Sequence, residues 1–296
     1  MSTSEPQPLV ADVADLKHCC ATFYASDWAR LLHGESLHPG GLALTGRLGS
    51  LLGLEQNARV LDVASGSGRS AVFLAERFGW SVIAIDLADE HSTAVVAAAA
   101  GAGVSDRVTF VRGDAEALPF ADGAFDAVIC ECALCTFPAK AVACAEFFRV
   151  LNPGGRIGVS DVTRNGSLPD DLASVLAWVA CIADAQPIAG YRSLLAAAGF
   201  AVDREERHDV VLRQLLDDIR TRLLGVELVV KLQDLELPGV DIAQVKSLAR
   251  SAEFAVRSGV LGYGLLVGTK PLSASVPSVR LGPGFRAQPQ PADTPS

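Results

Sequence analysis

Two short segments hold most of the residues whose types and spacing point to chemistry. In VLDVASGSGRS (60–70), an apolar run ends in small residues and glycines before a stretch of helical length. Gly66 and Gly68 permit conformations and close approaches that a Cβ would forbid. The N–H groups of such a strand-to-helix turn form a cradle for a ligand. Asp86 follows about 20 residues later, at the end of the next apolar run, where a carboxylate accepts hydrogen bonds from ribose hydroxyls. A tight turn with no ligand and a dinucleotide site of the G-x-G-x-x-A kind, ending at Ala71, both fit this spacing.

The second segment is ICECALCTFP (129–138). It places Cys130, Cys132 and Cys135 at or just past the end of a further apolar run. Cys130 and Cys132 share a face for as long as a strand there is regular. Cysteine is also a good small apolar residue for a packed strand, and Cys130 and Cys144 are read as packing residues. Cys132 falls at the edge where a ligand would lie.

These residues need a frame. The strand candidates are 58–64, 81–87, 108–114, 125–131 and 156–162, and helical stretches at 69–79, 90–103 and 138–151 alternate with them. Continuous apolar strands separated by helices imply a parallel sheet covered on both faces. Beyond it the pattern predicts helices at 169–185 and 189–199, a charged strand at 200–210, helices at 211–235 and 241–258, and a last strand at 259–270. In the helix 169–185, Leu172, Val175, Leu176, Val179 and Ala183 form one apolar stripe, with Cys181 on the opposite side. The proline-rich residues 271–296 and residues 1–13 are expected to be disordered.

Composition narrows the partners. The 296 residues carry 25 Lys+Arg against 34 Asp+Glu, a formal charge of −9, which argues against nucleic acid or an anionic membrane. No apolar run reaches the roughly 20 residues a membrane span requires. The seven cysteines lack the spacing of a disulfide scaffold, so they are read as reduced thiols in the cytoplasm.

The ordered segments resemble the class I S-adenosylmethionine-dependent methyltransferases. Asp62-Val63-Ala64-Ser65-Gly66-Ser67-Gly68 is similar to that family's D-x-G-x-G-x-G loop, with Ala64 replacing the first glycine. Asp86, Gly113-Asp114-Ala115, LPF (118–120), FDAVI (125–129) and RVLNPGGRIGVSD (149–161) match its later motifs in order. The resemblance covers roughly residues 40–200. It implies S-adenosylmethionine as cofactor, with Asp62, Ser65, Gly66, Gly68, Asp86, Leu87, Asp114, Ala115 and Glu131 as its contacts. It also implies a Rossmann-like α/β fold whose seven-stranded, mostly parallel sheet is completed by an antiparallel last strand. The core is then 56–200, with a helical lid at 14–55 and a helical insertion plus final strand at 201–270.

CECALC, a following SDV and a helix carrying Cys181 resemble more narrowly the arsenite methyltransferases. That resemblance implies Cys132 and Cys181 as thiolates holding a trivalent arsenical, soft ligands for a soft centre. The family's further cysteine, just upstream of the glycine loop, is absent; Cys19 and Cys20 in the lid are the candidates to replace it. The expected activity is methylation of a small-molecule acceptor. The alternatives are an ordinary oxygen, nitrogen or carbon acceptor with structural cysteines, a nicotinamide-dependent oxidoreductase and a ligand-binding protein without catalysis. His18, His33 and His38 are possible bases, but the sequence shows no partner for any of them, and an ordinary surface or packing histidine is the preferred reading for each.

Overall fold

The computed structural model describes residues 38–168, 184–233 and 242–272. The elements are α1 (Gly41–Leu52), β1 (Arg59–Val63), α2 (Arg69–Phe78), β2 (Ser81–Asp86), α3 (His91–Gly101), β3 (Val108–Arg112), β4 (Phe125–Glu131), α4 (Lys140–Val150), β5 (Leu151–Arg164), α5 (Ile188–Ala197), β6 (Ala201–Arg207), α6 (Asp209–Gln233), α7 (Ile242–Arg257) and β7 (Leu261–Thr269). They build one seven-stranded sheet in the order β3-β2-β1-β4-β5-β7-β6. Strands β1 to β5 are parallel, and β7 runs antiparallel between β5 and β6.

The pattern of burial explains this order. β1 and β4 are apolar nearly throughout, with Val60, Leu61, Val128 and Ile129 fully buried, as strands with helices on both faces must be. β6 alternates charge along AVDREER and takes the edge, where one side meets solvent. β5 is longer than the apolar run 156–162 predicted: it begins at Leu151, which pairs with Phe125 of β4 across a register shift, and its pairing with β7 runs on to Arg164. The expected strand 200–210 stops at Arg207, and Asp209 opens α6 two residues earlier than the periodicity indicated.

Close contacts on either side position the segments around the candidate site. A Cβ at Gly158 would come within 2.8 Å of Leu48, so glycine on β5 lets α1 lie directly on the sheet. Ahead of α1, Gly40 and Gly41 have φ of 80° and 51°, a left-handed turn that brings His38 back over the sheet end. On the other side, buried Lys140 pairs with Asp184 and donates to Phe137 O at 2.9 Å, fixing the chain at 184 beside the end of β4. Among the described residues, no helix is long and apolar enough to cross a membrane.

Candidate active site

The carboxyl ends of β1, β2, β3 and β4 open into one cleft. Where adjacent parallel strands diverge in this way, ligands bind beyond the strand ends. Of the residues singled out from sequence, Asp62, Ser65, Gly66, Asp86, Leu87, Asp114, Ala115, Glu131 and Cys132 all line it. Gly68 does not: it is the left-handed residue before α2, with φ 75°. A Cβ there would meet Val95 at 2.7 Å, so its role is to let α2 and α3 approach. Cys181, Cys19 and Cys20 lie outside the described residues, as do most of the expected lid and the stripe of helix 169–185.

The glycine loop is held from β2. Gly66 N donates to Asp86 Oδ2 at 2.9 Å, and Ala88 N donates to Asp86 Oδ1 at 2.9 Å. The Asp86 carbonyl accepts from Gly113 N at 2.9 Å, which brings Asp114 and Ala115 to the same wall. Ala64, the departure from the glycine pattern, sits at φ 55° in the region that a side chain disfavours. The loop therefore keeps the backbone shape of a glycine while carrying a methyl group.

Charge in the cleft is acidic. Asp62 is 2% exposed, and burial, followed by the nearby carboxylates of Glu131 and Asp86, holds its carboxyl well above the usual range. Among the described residues, its Oδ2 and the Ser65 Oγ are buried polar atoms with no hydrogen-bond partner. Buried polar groups are ordinarily paired. A cleft with two unmatched polar atoms and four carboxylates, Asp62, Asp86, Asp114 and Glu131, is built for a cationic ligand rich in donors.

The cysteines separate. Cys130 and Cys144 are fully buried in the core. Burial pushes the Cys130 thiol up, with Asp161 and Asp62 adding to it, and pushes Cys144 to about 12. The strand is not regular through Cys132: that residue has φ 53°, just past the last residue of β4, and its N–H donates to Ser160 O at 2.7 Å. This break turns it out of the face shared with Cys130 and into the cleft.

A buried polar group beside the cleft was not legible from spacing. Glu131 Oε2 accepts from Ser70 Oγ at 2.8 Å and Thr45 Oγ1 at 2.9 Å, and lies 3.8 Å from His38 Nε2. Behind it, Ser160 Oγ lies 3.5 Å from Glu131 Oε1 and 3.2 Å from the buried Tyr263 hydroxyl. These residues come from the turn before α1 and from α1, α2, β4, β5 and β7, so no local motif joins them. The only signal was the HPGG turn that brings His38 inward.

Known proteins fit this geometry. A family model described as a methyltransferase domain matches residues 60–155. An uncharacterized protein of Haemophilus influenzae is 40% identical over 134 residues, covering 44% of this chain and 53% of that protein. The chain thus spans about half the length of that relative. The 27-O-demethylrifamycin SV methyltransferase of Amycolatopsis mediterranei is 28% identical over 256 residues, 81% of this chain and 92% of that one. An arsenite methyltransferase of Halobacterium salinarum is 31% identical over 144 residues, 48% of this chain and 37% of that protein. Among solved structures, a putative sarcosine dimethylglycine methyltransferase from Galdieria sulphuraria has the same fold, with a TM-score of 0.72 at 20% identity, over 84% of this chain and 99% of that one. With these motifs on the strand ends of a seven-stranded sheet, residues 60–155 match the methyltransferase domain family and sit in the same fold as the solved methyltransferase.

Proposed function

We propose that this protein transfers a methyl group from S-adenosylmethionine to a small-molecule acceptor. The observation that carries the reading is the pair of buried, unmatched polar atoms, Asp62 Oδ2 and Ser65 Oγ, in an acidic cleft over the glycine loop. Asp62 with Ser65 and Gly66 would hold the methionine part, Asp86 with Leu87 the ribose, and Asp114 with Ala115 the adenine. When bound, the cofactor supplies a methyl group already activated by its sulfonium charge. The protein then has to position the acceptor, exclude water and accept a proton where one must leave. The test is titration calorimetry with S-adenosylmethionine and, separately, NADH, followed by a labelled-methyl assay. Binding of the first alone, with transfer to an acceptor, supports the reading; binding of NADH alone, or binding without any transfer, refutes it.

A second reading concerns the acceptor. Cys132 presents its side chain to the cleft from a left-handed residue at the strand end, a placement compatible with a trivalent arsenical held by thiolates. Cys181, Cys19 or Cys20 would have to supply the remaining ligands. Cys132→Ser and Cys181→Ser are each expected to abolish arsenite methylation. Unchanged arsenite methylation in both variants eliminates this acceptor and leaves the cysteines as packing residues.

A further inference from the structure

We propose that His91 is a binding residue for the ribose of the cofactor: its imidazole N–H donates to a ribose hydroxyl oxygen, beside the Asp86 carboxylate that accepts from the ribose. The inference rests on the methyl-transfer reading and deepens it by assigning a donor that no motif marks.

His91 opens α3, shortly past the end of β2. Its backbone N–H donates to Ala88 O at 3.3 Å, and Ala88 N donates to Asp86 Oδ1 at 2.9 Å. One continuous turn therefore ties the imidazole to the ribose carboxylate. One helical turn on, Val95 stands where a Cβ at Gly68 would strike it at 2.7 Å, so this face of α3 looks onto the glycine loop. His91 lines the cleft and is only 5% exposed. Among the described residues, its ring has no hydrogen-bond or ion-pair partner. An imidazole carries at least one N–H whichever its protonation state, and a buried donor without an acceptor costs free energy.

The cleft is rich in acceptors and poor in donors. Ionised Asp86, Asp114 and Glu131 can only accept. Of the hydroxyl and imidazole donors on its walls, Ser70 donates to Glu131 Oε2 at 2.8 Å and Thr136 to Ala133 O at 2.7 Å. The His38 ring already faces Pro39 O, 3.3 Å from Nδ1, and the Ser70 and Thr45 hydroxyls, 3.4 Å from Nε2. Ser65 and His91 are left, and Ser65 stands on the glycine loop, at the methionine part. A ribose hydroxyl both donates and accepts. Asp86 takes its proton, but a carboxylate offers nothing to the lone pairs on the hydroxyl oxygen. His91, on the same turn as Asp86, supplies that N–H. Binding thus gives the imidazole the partner it lacks in the empty protein, so His91 costs stability without ligand and contributes affinity with it.

The experiment titrates the full chain by calorimetry with S-adenosylhomocysteine and with its 2′-deoxy and 3′-deoxy analogues, and reads the Tm of the same samples without ligand. In the wild-type chain, loss of the hydroxyl that His91 meets is expected to weaken binding about ten- to a hundredfold. His91→Leu nearly keeps the volume and removes the donor. It is expected to weaken S-adenosylhomocysteine about tenfold, to shrink the penalty for one deoxy analogue about fivefold, and to raise the Tm of the empty protein by about 2–4 °C. His91→Gln, whose amide keeps a donor, is expected to bind more tightly than His91→Leu. The proposal is overturned if His91→Leu binds S-adenosylhomocysteine as tightly as the wild-type chain. It is equally overturned if both deoxy penalties are unchanged in that variant, since His91 would then shape the cleft without touching the ribose. A Tm that falls together with the affinity in both variants also overturns it, because the imidazole would then be a packing residue. A wild-type chain that binds neither S-adenosylmethionine nor S-adenosylhomocysteine defeats the methyl-transfer reading itself; binding with deoxy penalties indifferent to His91 defeats only this one.

Discussion

Gly66 donates its backbone N–H to the Asp86 carboxylate at 2.9 Å, so the residue that ends β2 also shapes the loop that leaves β1. Asp86 therefore has two tasks, and removing it should show both. Asp86→Ala strands the N–H groups of Gly66 and Ala88. A loss of about 1–3 kcal/mol in urea unfolding and at least a tenfold loss of S-adenosylhomocysteine affinity by calorimetry are expected. A variant with normal affinity would show that loop shape and ligand binding are independent.

Asp62 gives a pH signature. Its raised pKa means that the folded chain holds the carboxyl proton more tightly than the unfolded chain does. That contribution to stability is complete below the unfolded carboxylate range and is lost as pH rises toward the folded value. Asp62→Asn should raise the Tm of the ligand-free protein by roughly 2–4 °C at pH 8, with a smaller effect at pH 4, while greatly weakening the binding of S-adenosylmethionine.

A cation placed beside Asp62 favours its ionised form, so cofactor binding should expel a proton. Calorimetry in buffers of differing ionisation enthalpy measures this directly, as a binding enthalpy that varies with the buffer. The variation should shrink in Asp62→Asn wherever residual binding allows the comparison.

Ala64 at φ 55° pays the steric penalty of a left-handed residue with a side chain. Ala64→Gly removes that penalty, and about 1 kcal/mol of added stability is expected, read as a higher denaturation midpoint. Because Ala64 lines the cleft, S-adenosylmethionine affinity should stay level or rise.

The thiols should label unequally. With its pKa pushed to about 12, Cys144 holds a negligible thiolate fraction at pH 8, and the Cys130 thiol is likewise raised and fully buried. Peptide mapping after brief alkylation of the native protein should find Cys132 modified while Cys130 and Cys144 stay intact. Prior addition of S-adenosylhomocysteine should slow the reaction at Cys132.

The parallel core was legible because its strands are mainly β-branched and apolar runs, and Asp62, Asp86 and Asp114 each stand within two residues of the end of one. Chain order and alternation were enough to place those residues. The polar group around Glu131 was not legible, since its members lie up to 225 positions apart, from His38 to Tyr263, and meet only through sheet order. Cys132 was placed at the right edge for an incomplete reason. Period-two alternation would have kept it beside Cys130, and only a left-handed φ, invisible to hydropathy, turns it away.

The antiparallel seat of β7 between β5 and β6 has a consequence for biosynthesis. Residues 261–269 are buried almost throughout, yet they are made after every other strand of the sheet. Until they emerge from the ribosome, β5 and β6 have no common neighbour, and the inner edge of β5 stays open as a template for wrong pairing. The nascent chain must therefore wait with its parallel strands assembled and its far edge unsealed, and insertion of β7 is the last pairing event of the sheet.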